Sequence, residues 1–485
     1  MREQSKAMSL PVSNLVRKSV VMKSVRPFFR LVALVCGIGS ANAQGALTDC
    51  SGALSDCLLT AARAVGDTLP RAGSRDEVHF AVAVALAQMD RLDEARGVAS
   101  QITNARTLSE ALGAMSQAAA LAGSFVEAYE IALDIVDART DSAKVAALEV
   151  LAVEQAAVGD ISTAFDTLVA INNPYRRSEA QAAVAIAVAR SGDIPGAIRT
   201  ASRIATNYWF TSDQHQIKVA SGLVSRSGEF DQFWFYEALA TIAQIQAQDG
   251  DILGALQTAN AIPDVGGRSR AVARVASVQA ATGDLAGALA TASRIEAPYG
   301  DLEAMVAIAR FKASTGDFTG ALDLAQDIAR IYGDTSAMVA VAALQAGHGL
   351  TEISLQTAAD IDNLDNRTRA FSEIAVRLVR EGQLDEALKA VAMIPDARER
   401  SLAIGQISVV LAEAGEPARA LEVAASHTGR RDYDEIVLTI ALAQAAAGHT
   451  DDAVATAMQL GDDMLRAVAL AGIAPYARQG IVTPD

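Results

Sequence analysis

Gly283-Asp284-Leu285-Ala286-Gly287-Ala288-Leu289 and, in the same phase further along the chain, Gly382-Gln383-Leu384-Asp385-Glu386-Ala387-Leu388 are the stretches that decide the fold. Each reads as a turn between two helices: a glycine, then a polar residue able to cap the next helix, then a small residue inside that helix. Working outward, the turn position recurs at Asp90, Gly123, Gly159, Gly192, Gly250, Gly283, Gly316, Gly349, Gly382, Gly415 and Gly448. From Gly250 to Gly448 the spacing is always 33; upstream it is 33, 36, 33 and 58. A fixed period of this length marks a two-helix repeat, and such repeats let one elongated domain grow without a single central core. The chain is therefore expected to be all-α, an α-α superhelix (solenoid) of about eleven complete helix-turn-helix repeats plus one truncated repeat.

Further columns keep the phase. Asp or Glu follows the turn glycine at Asp160, Asp193, Asp251, Asp284, Asp317 and Glu416, where a carboxylate meets the positive end of a helix. Five residues after the turn stands Ala in every repeat but one, where Ser354 replaces it. Twelve after the turn stands Ile, with Leu460 and His427 as departures, and seven before it the residue is always Ala or Ser. Small residues in fixed columns let antiparallel helices approach closely, while the Ile anchors the end of the second helix.

These columns resemble the tetratricopeptide repeat family, over roughly residues 75 to 480. The resemblance implies that the first helix of each pair lines a concave side, and that the chain binds a protein or peptide. The family's aromatic positions in the first helix are mostly Ala, Val or Ile here, and its proline between repeats is sporadic, as at Pro174, Pro263, Pro298 and Pro395.

Residues 1–43 read as an export signal: Lys23, Arg26 and Arg30 precede the apolar run Leu31–Gly39, and Ala41-Asn42-Ala43 offers a cleavage site after Ala43. Met22 is an alternative start. The mature chain, with no apolar run long enough to span a bilayer, is expected in the periplasm or secreted. Segments follow from the phase: 44–74 an N-terminal cap, 75–207 repeats, 208–236 a truncated repeat, 237–461 repeats, 462–485 a C-terminal capping helix and tail. Without the leader 34 Lys/Arg face 56 Asp/Glu, a net charge of −22. That excess disfavours nucleic acid and anionic membranes, both of which call for clustered positive charge, and suits a basic protein partner. Cys50 and Cys57 are the only cysteines left, and pairing them requires a break in the helix, for which Gly52 offers a place.

Between 208 and 236 one helix of the pattern is missing: a first-type helix near 211–227 meets Gly228-Glu229-Phe230, and another first-type helix starts at Phe235. Eight of the chain's 22 aromatic residues lie here, among them Tyr208, Trp209, Phe210, Phe233, Trp234 and Tyr236, with Phe233 standing where other repeats place Ala. Two readings stay open. The rings fill the space of the absent helix, or they form an exposed platform that anchors a partner.

Thirteen residues before the turns the column reads Glu110, Ala146, Glu179, Glu237, Arg270, Glu303, Ser336, Arg369, Leu402 and Glu435. It is too acidic for a carboxylate clamp and reads either as a groove for a basic or extended polar segment or as solvated helix starts. Two residues earlier stand Arg177, Arg268, Arg367, Arg400 and Arg466, expected to pair with acids of neighbouring repeats, with an anion-binding ladder as the alternative. The five histidines are scattered, and no zinc, phosphate-loop or nucleophile-elbow motif occurs. No cofactor and no catalysis are expected. The expected function is an exported scaffold holding a protein or peptide partner; the alternatives are a structural subunit of an envelope assembly and a helical carbohydrate-active protein using the aromatic window.

Overall fold

The computed structural model describes residues 53–136, 142–206, 227–295, 302–427 and 430–477. Among them are 24 helices and no strand. In chain order these are α1 (Leu54–Thr68), α2 (Ala72–Gln88), α3 (Leu92–Ala99), α4 (Ala105–Ala122), α5 (Phe125–Leu133), α6 (Ser142–Ala157), α7 (Ile161–Val169), α8 (Pro174–Arg190) and α9 (Ile194–Thr206). There follow α10 (Ser227–Gln248), α11 (Ile252–Asn260), α12 (Val265–Ala281), α13 (Leu285–Ala292), α14 (Leu302–Ser314), α15 (Phe318–Tyr332), α16 (Ser336–Gly347) and α17 (Thr351–Ala359). The last are α18 (Leu364–Arg380), α19 (Leu384–Ala392), α20 (Ala397–Glu413), α21 (Pro417–His427), α22 (Arg430–Ala446), α23 (Thr450–Ala457) and α24 (Asp463–Ala477). From α2 to α23, long first helices alternate with second helices that are mostly shorter, in tandem pairs, the arrangement of an α-solenoid.

All eleven turn positions have positive φ, from 62° at Asp90 to 95° at Gly192. That conformation costs a side chain ~1 kcal/mol or more, which is why glycine holds ten of them. The capping aspartates behave as the sequence suggests: Asp160, Asp193, Asp251, Asp284 and Asp317 each accept a bond from the backbone N–H three residues on, at 2.8–3.1 Å. In four of these the third residue is glycine, and a Cβ on Gly254 or Gly287 would lie about 2 Å from the capping carboxylate. The Ala column five after the turn and the small column seven before it are fully buried, and Ser354 and Ser408 are buried with them.

Contacts divide the chain into two compact units. The unit formed by residues 152–443 contains a core running through Ala309, Ile328, Ala342, Ile374, Ile407 and Ile440, each helix pair burying its apolar face against the next. The other unit joins residues 1–151 to 444–485. In it the expected end segments meet: α24 packs along α1 and also stacks on α2. The phase explains this. Counting back one period from Asp90, Ala62 of α1 falls in the Ala column and Leu69 in the Ile column, while Ala474 of α24 falls in the small column one period past Ala441. Ala62 and Ala474 are fully buried. Helix α24 is thus a first helix and α1 a second helix, and together they complete one more pair from opposite ends of the sequence.

Candidate functional site

The aromatic window is described only from Ser227, so Tyr208, Trp209 and Phe210 lie outside the described residues. The break expected at Gly228-Glu229-Phe230 is not there: α10 runs unbroken from Ser227 to Gln248. Phe233 therefore does not occupy the packed Ala column; it sits on a helix and is 41% exposed. Its ring meets Trp234 edge-on at 5.2 Å, Trp234 meets Tyr175 at 5.9 Å, and the Arg270 guanidinium lies 5.7 Å from the Phe233 centroid. Trp234 is half-buried, and its Nε1 finds no hydrogen-bond partner among the described residues. Phe233 and Tyr236 border a cavity of about 230 Å³ whose polar walls are Glu237, Asp264 and Arg270. Burial, with the Asp264 carboxylate nearby, pushes the Tyr236 hydroxyl up from its ordinary pKa. Cys57 is buried and disulfide-bonded; Cys50 lies outside the described residues.

A larger groove, about 720 Å³, crosses four consecutive first helices, α12, α14, α16 and α18. Its floor is Val306, Ala307, Phe311, Ala340, Ala343 and Leu344. Relative to each turn the lining residues fall mainly at thirteen, nine, six, five and two before it, the face a helix repeats every three or four residues. The column thirteen before the turn thus supplies Glu237 and Arg270 to the smaller cavity and Glu303 to the groove. Along that edge the charges compensate one another. Glu237 accepts from Arg274 and lies 3.5 Å from Arg270, and Arg369 bonds Glu373 at 2.8 Å.

The arginine column does something other than pairing with neighbouring acids. Arg177, Arg268 and Arg400 donate to the carbonyls of Ile171, Ile262 and Ile394 at 2.6–3.0 Å, and Arg466 donates to that of Leu460. Arg75 treats Leu69 alike at 2.8 Å. Each closes an open carbonyl just past a second helix, where a cation is also favoured by the helix dipole. Arg466 adds an ion pair to Asp463 on its own helix at 2.5 Å, and Arg367 makes no such bond to a described residue.

A second ladder was legible but unread. Gln155, Gln246 and Gln279, four before their turns, accept through Oε1 from the hydroxyls of Thr167, Thr258 and Thr291, eight after, at 2.6–2.8 Å. Where the first column is Leu, at Leu378 and Leu411, the second is Ala390 or Val423. The match is not general: Gln345 and Gln444 face Thr357 and Thr456 in the same columns, but their buried Oε1 atoms find no partner among the described residues, and buried Thr200 stands opposite Val188.

Among the described residues no group of acids, histidines or cysteines is placed to hold a metal, and no helix is long and apolar enough to cross a membrane. No protein-family model matches the chain, and no curated protein matches it. Matching solved structures include Ton1535 from Thermococcus onnurineus NA1, at 18% identity over 67% of this chain and 97% of that one, with a TM-score of 0.23. Naa15/Naa10 bound to HypK-THB matches at 14% identity over 92% and 75%, TM-score 0.22. A circular tandem repeat protein with novel repeat topology matches at 12% over 91% and 98%, TM-score 0.14. At such scores these likenesses carry no argument.

Proposed function

We propose that the chain is an exported, non-catalytic repeat scaffold that holds a protein or peptide partner on the surface of its first helices. The observation that supports this is the groove over α12, α14, α16 and α18, where an apolar floor is left open to water in a length of repeats otherwise well packed. A trough of that kind accepts an extended segment or a helix. Export rests on the leader composition of residues 1–43 and on the disulfide at Cys57, which an oxidising compartment favours.

Purified mature chain carrying Ala307→Trp, at a half-buried position on the groove floor, should lose captured partners while keeping its helical content and melting temperature. Partner capture undiminished by the filled groove would sink the reading. Export is checked separately, by fractionation and by N-terminal sequencing, which should begin at Gln44. The aromatic cavity at Phe233 and Tyr236 favours a second reading, glycan binding, because rings beside carboxylates suit a sugar face and its hydroxyls. A glycan array with wild-type chain and Phe233→Ala decides it.

A further inference from the structure

We propose that the groove over α12, α14, α16 and α18 recognises an extended segment in which an acidic side chain neighbours an aliphatic one, in spite of the chain's negative charge. The proposal rests on the partner-binding reading above and specifies its ligand. The two edges of the groove differ. Toward the N-terminal ends of the first helices the groove carries carboxylates, Glu303 and the Glu373 that Arg369 holds at 2.8 Å. At the C-terminal ends, Arg310 and Arg377 line the groove and neither makes an ion pair or side-chain hydrogen bond to any described residue.

Arg377 is also held in place. Its stem crosses α16 at Gly347, where a Cβ would come within 3.0 Å of Cδ and 3.2 Å of Cγ and Nε. Gly347 is helical and is not among the positive-φ glycines, so the glycine is not needed for backbone shape. Glycine disfavours a helix relative to alanine; at the last residue of α16 it makes room for the stem of Arg377. A half-buried cation laid across a neighbouring helix beside Leu344 and Ala343, with no anion of its own, is prepared for one brought from outside. Guanidinium binds a carboxylate in a two-bond fork, and the apolar floor takes the adjoining aliphatic side chain.

The test is selection of phage-displayed random dodecapeptides on wild-type chain, on Arg310→Gln/Arg377→Gln and on Gly347→Ala, each first shown to melt as the wild type does. Peptides recovered on wild type should carry Asp or Glu beside Leu, Ile or Val. Synthetic copies should bind the double variant at least tenfold more weakly by fluorescence polarisation, and Gly347→Ala more weakly than wild type. Recovered peptides that are basic or uncharged, or equal binding to wild type and the double variant, would overturn the proposal and leave the scaffold reading standing. Failure to recover any peptide would overturn both.

Discussion

Gln246 and Thr258 show how much one buried pair can decide. Their 2.6 Å bond is sealed from water, so removing one partner strands the other. Gln246→Leu or Thr258→Val alone should cost ~1–3 kcal/mol in urea unfolding, whereas the double variant should come close to wild type, as the chain's own Leu411 and Val423 suggest. Glu77 is a second residue whose surroundings have a measurable consequence. Burial, then Glu110, then Asp76 push its pKa from the ordinary 4.5 up to about 7. The folded state therefore keeps a proton that the unfolded state loses first, and this contribution to stability, complete below about 4.5, drains away as pH rises to about 7. Glu77→Gln should flatten that part of the curve of melting temperature against pH. A variant curve parallel to wild type between those values would refute the assignment.

Among elements, the second helices are short, eight or nine residues in most pairs, and would be marginal alone. Several are held by closed ends: an aspartate cap at the start of five, and in some an arginine on the carbonyl just past the finish. Arg400→Met should lower stability by ~1–2 kcal/mol, and because its partners are the carbonyls of Ile394 and Pro395, much of the loss should survive in high salt. An effect abolished by salt would point to an acidic partner instead. These ends also show what the sequence could tell. The turn glycines, the Asp caps and the small columns repeat one residue type for one backbone reason, so counting found them. The arginine column was equally visible, but its target is a main-chain atom with no letter of its own, and nearby acids offered a plausible wrong answer. Gly228 misled for the related reason that glycine is tolerated within a helix, as in α10, and its letter alone does not mark a turn.

At the scale of the whole molecule, periodicity foretold the stack of helix pairs, whereas the candidate site was only partly foreseen. In the sequence the column thirteen before each turn reads either as a groove or as solvated helix starts; Glu303 lines the groove, whereas Glu237 and Arg270 line the smaller cavity. That Arg310 and Arg377 have no ion-pair partner among the described residues went unnoticed, because freedom from a partner is a property of three dimensions. So was the pair made by α1 and α24, whose matching letters lie some 400 residues apart. Leu470 of α24 is fully buried, and Leu470→Ala should cost ~2–5 kcal/mol. Amide hydrogen exchange should then quicken in α1 and α2; unchanged protection in α1 would show that the two helices do not depend on each other.

That shared pair sets a timetable for biogenesis. Helix α1 is synthesised long before its mate α24, so α1, whose Leu58 and Val65 end wholly buried, has no α24 to pack along while the intervening repeats are made. Neighbouring pairs can zip up locally as they appear, but this contact must wait for a very long loop to close. In pulse-labelled refolding, α1 should be the last helix to gain protection, and until then its oily face is the surface a holding chaperone would meet.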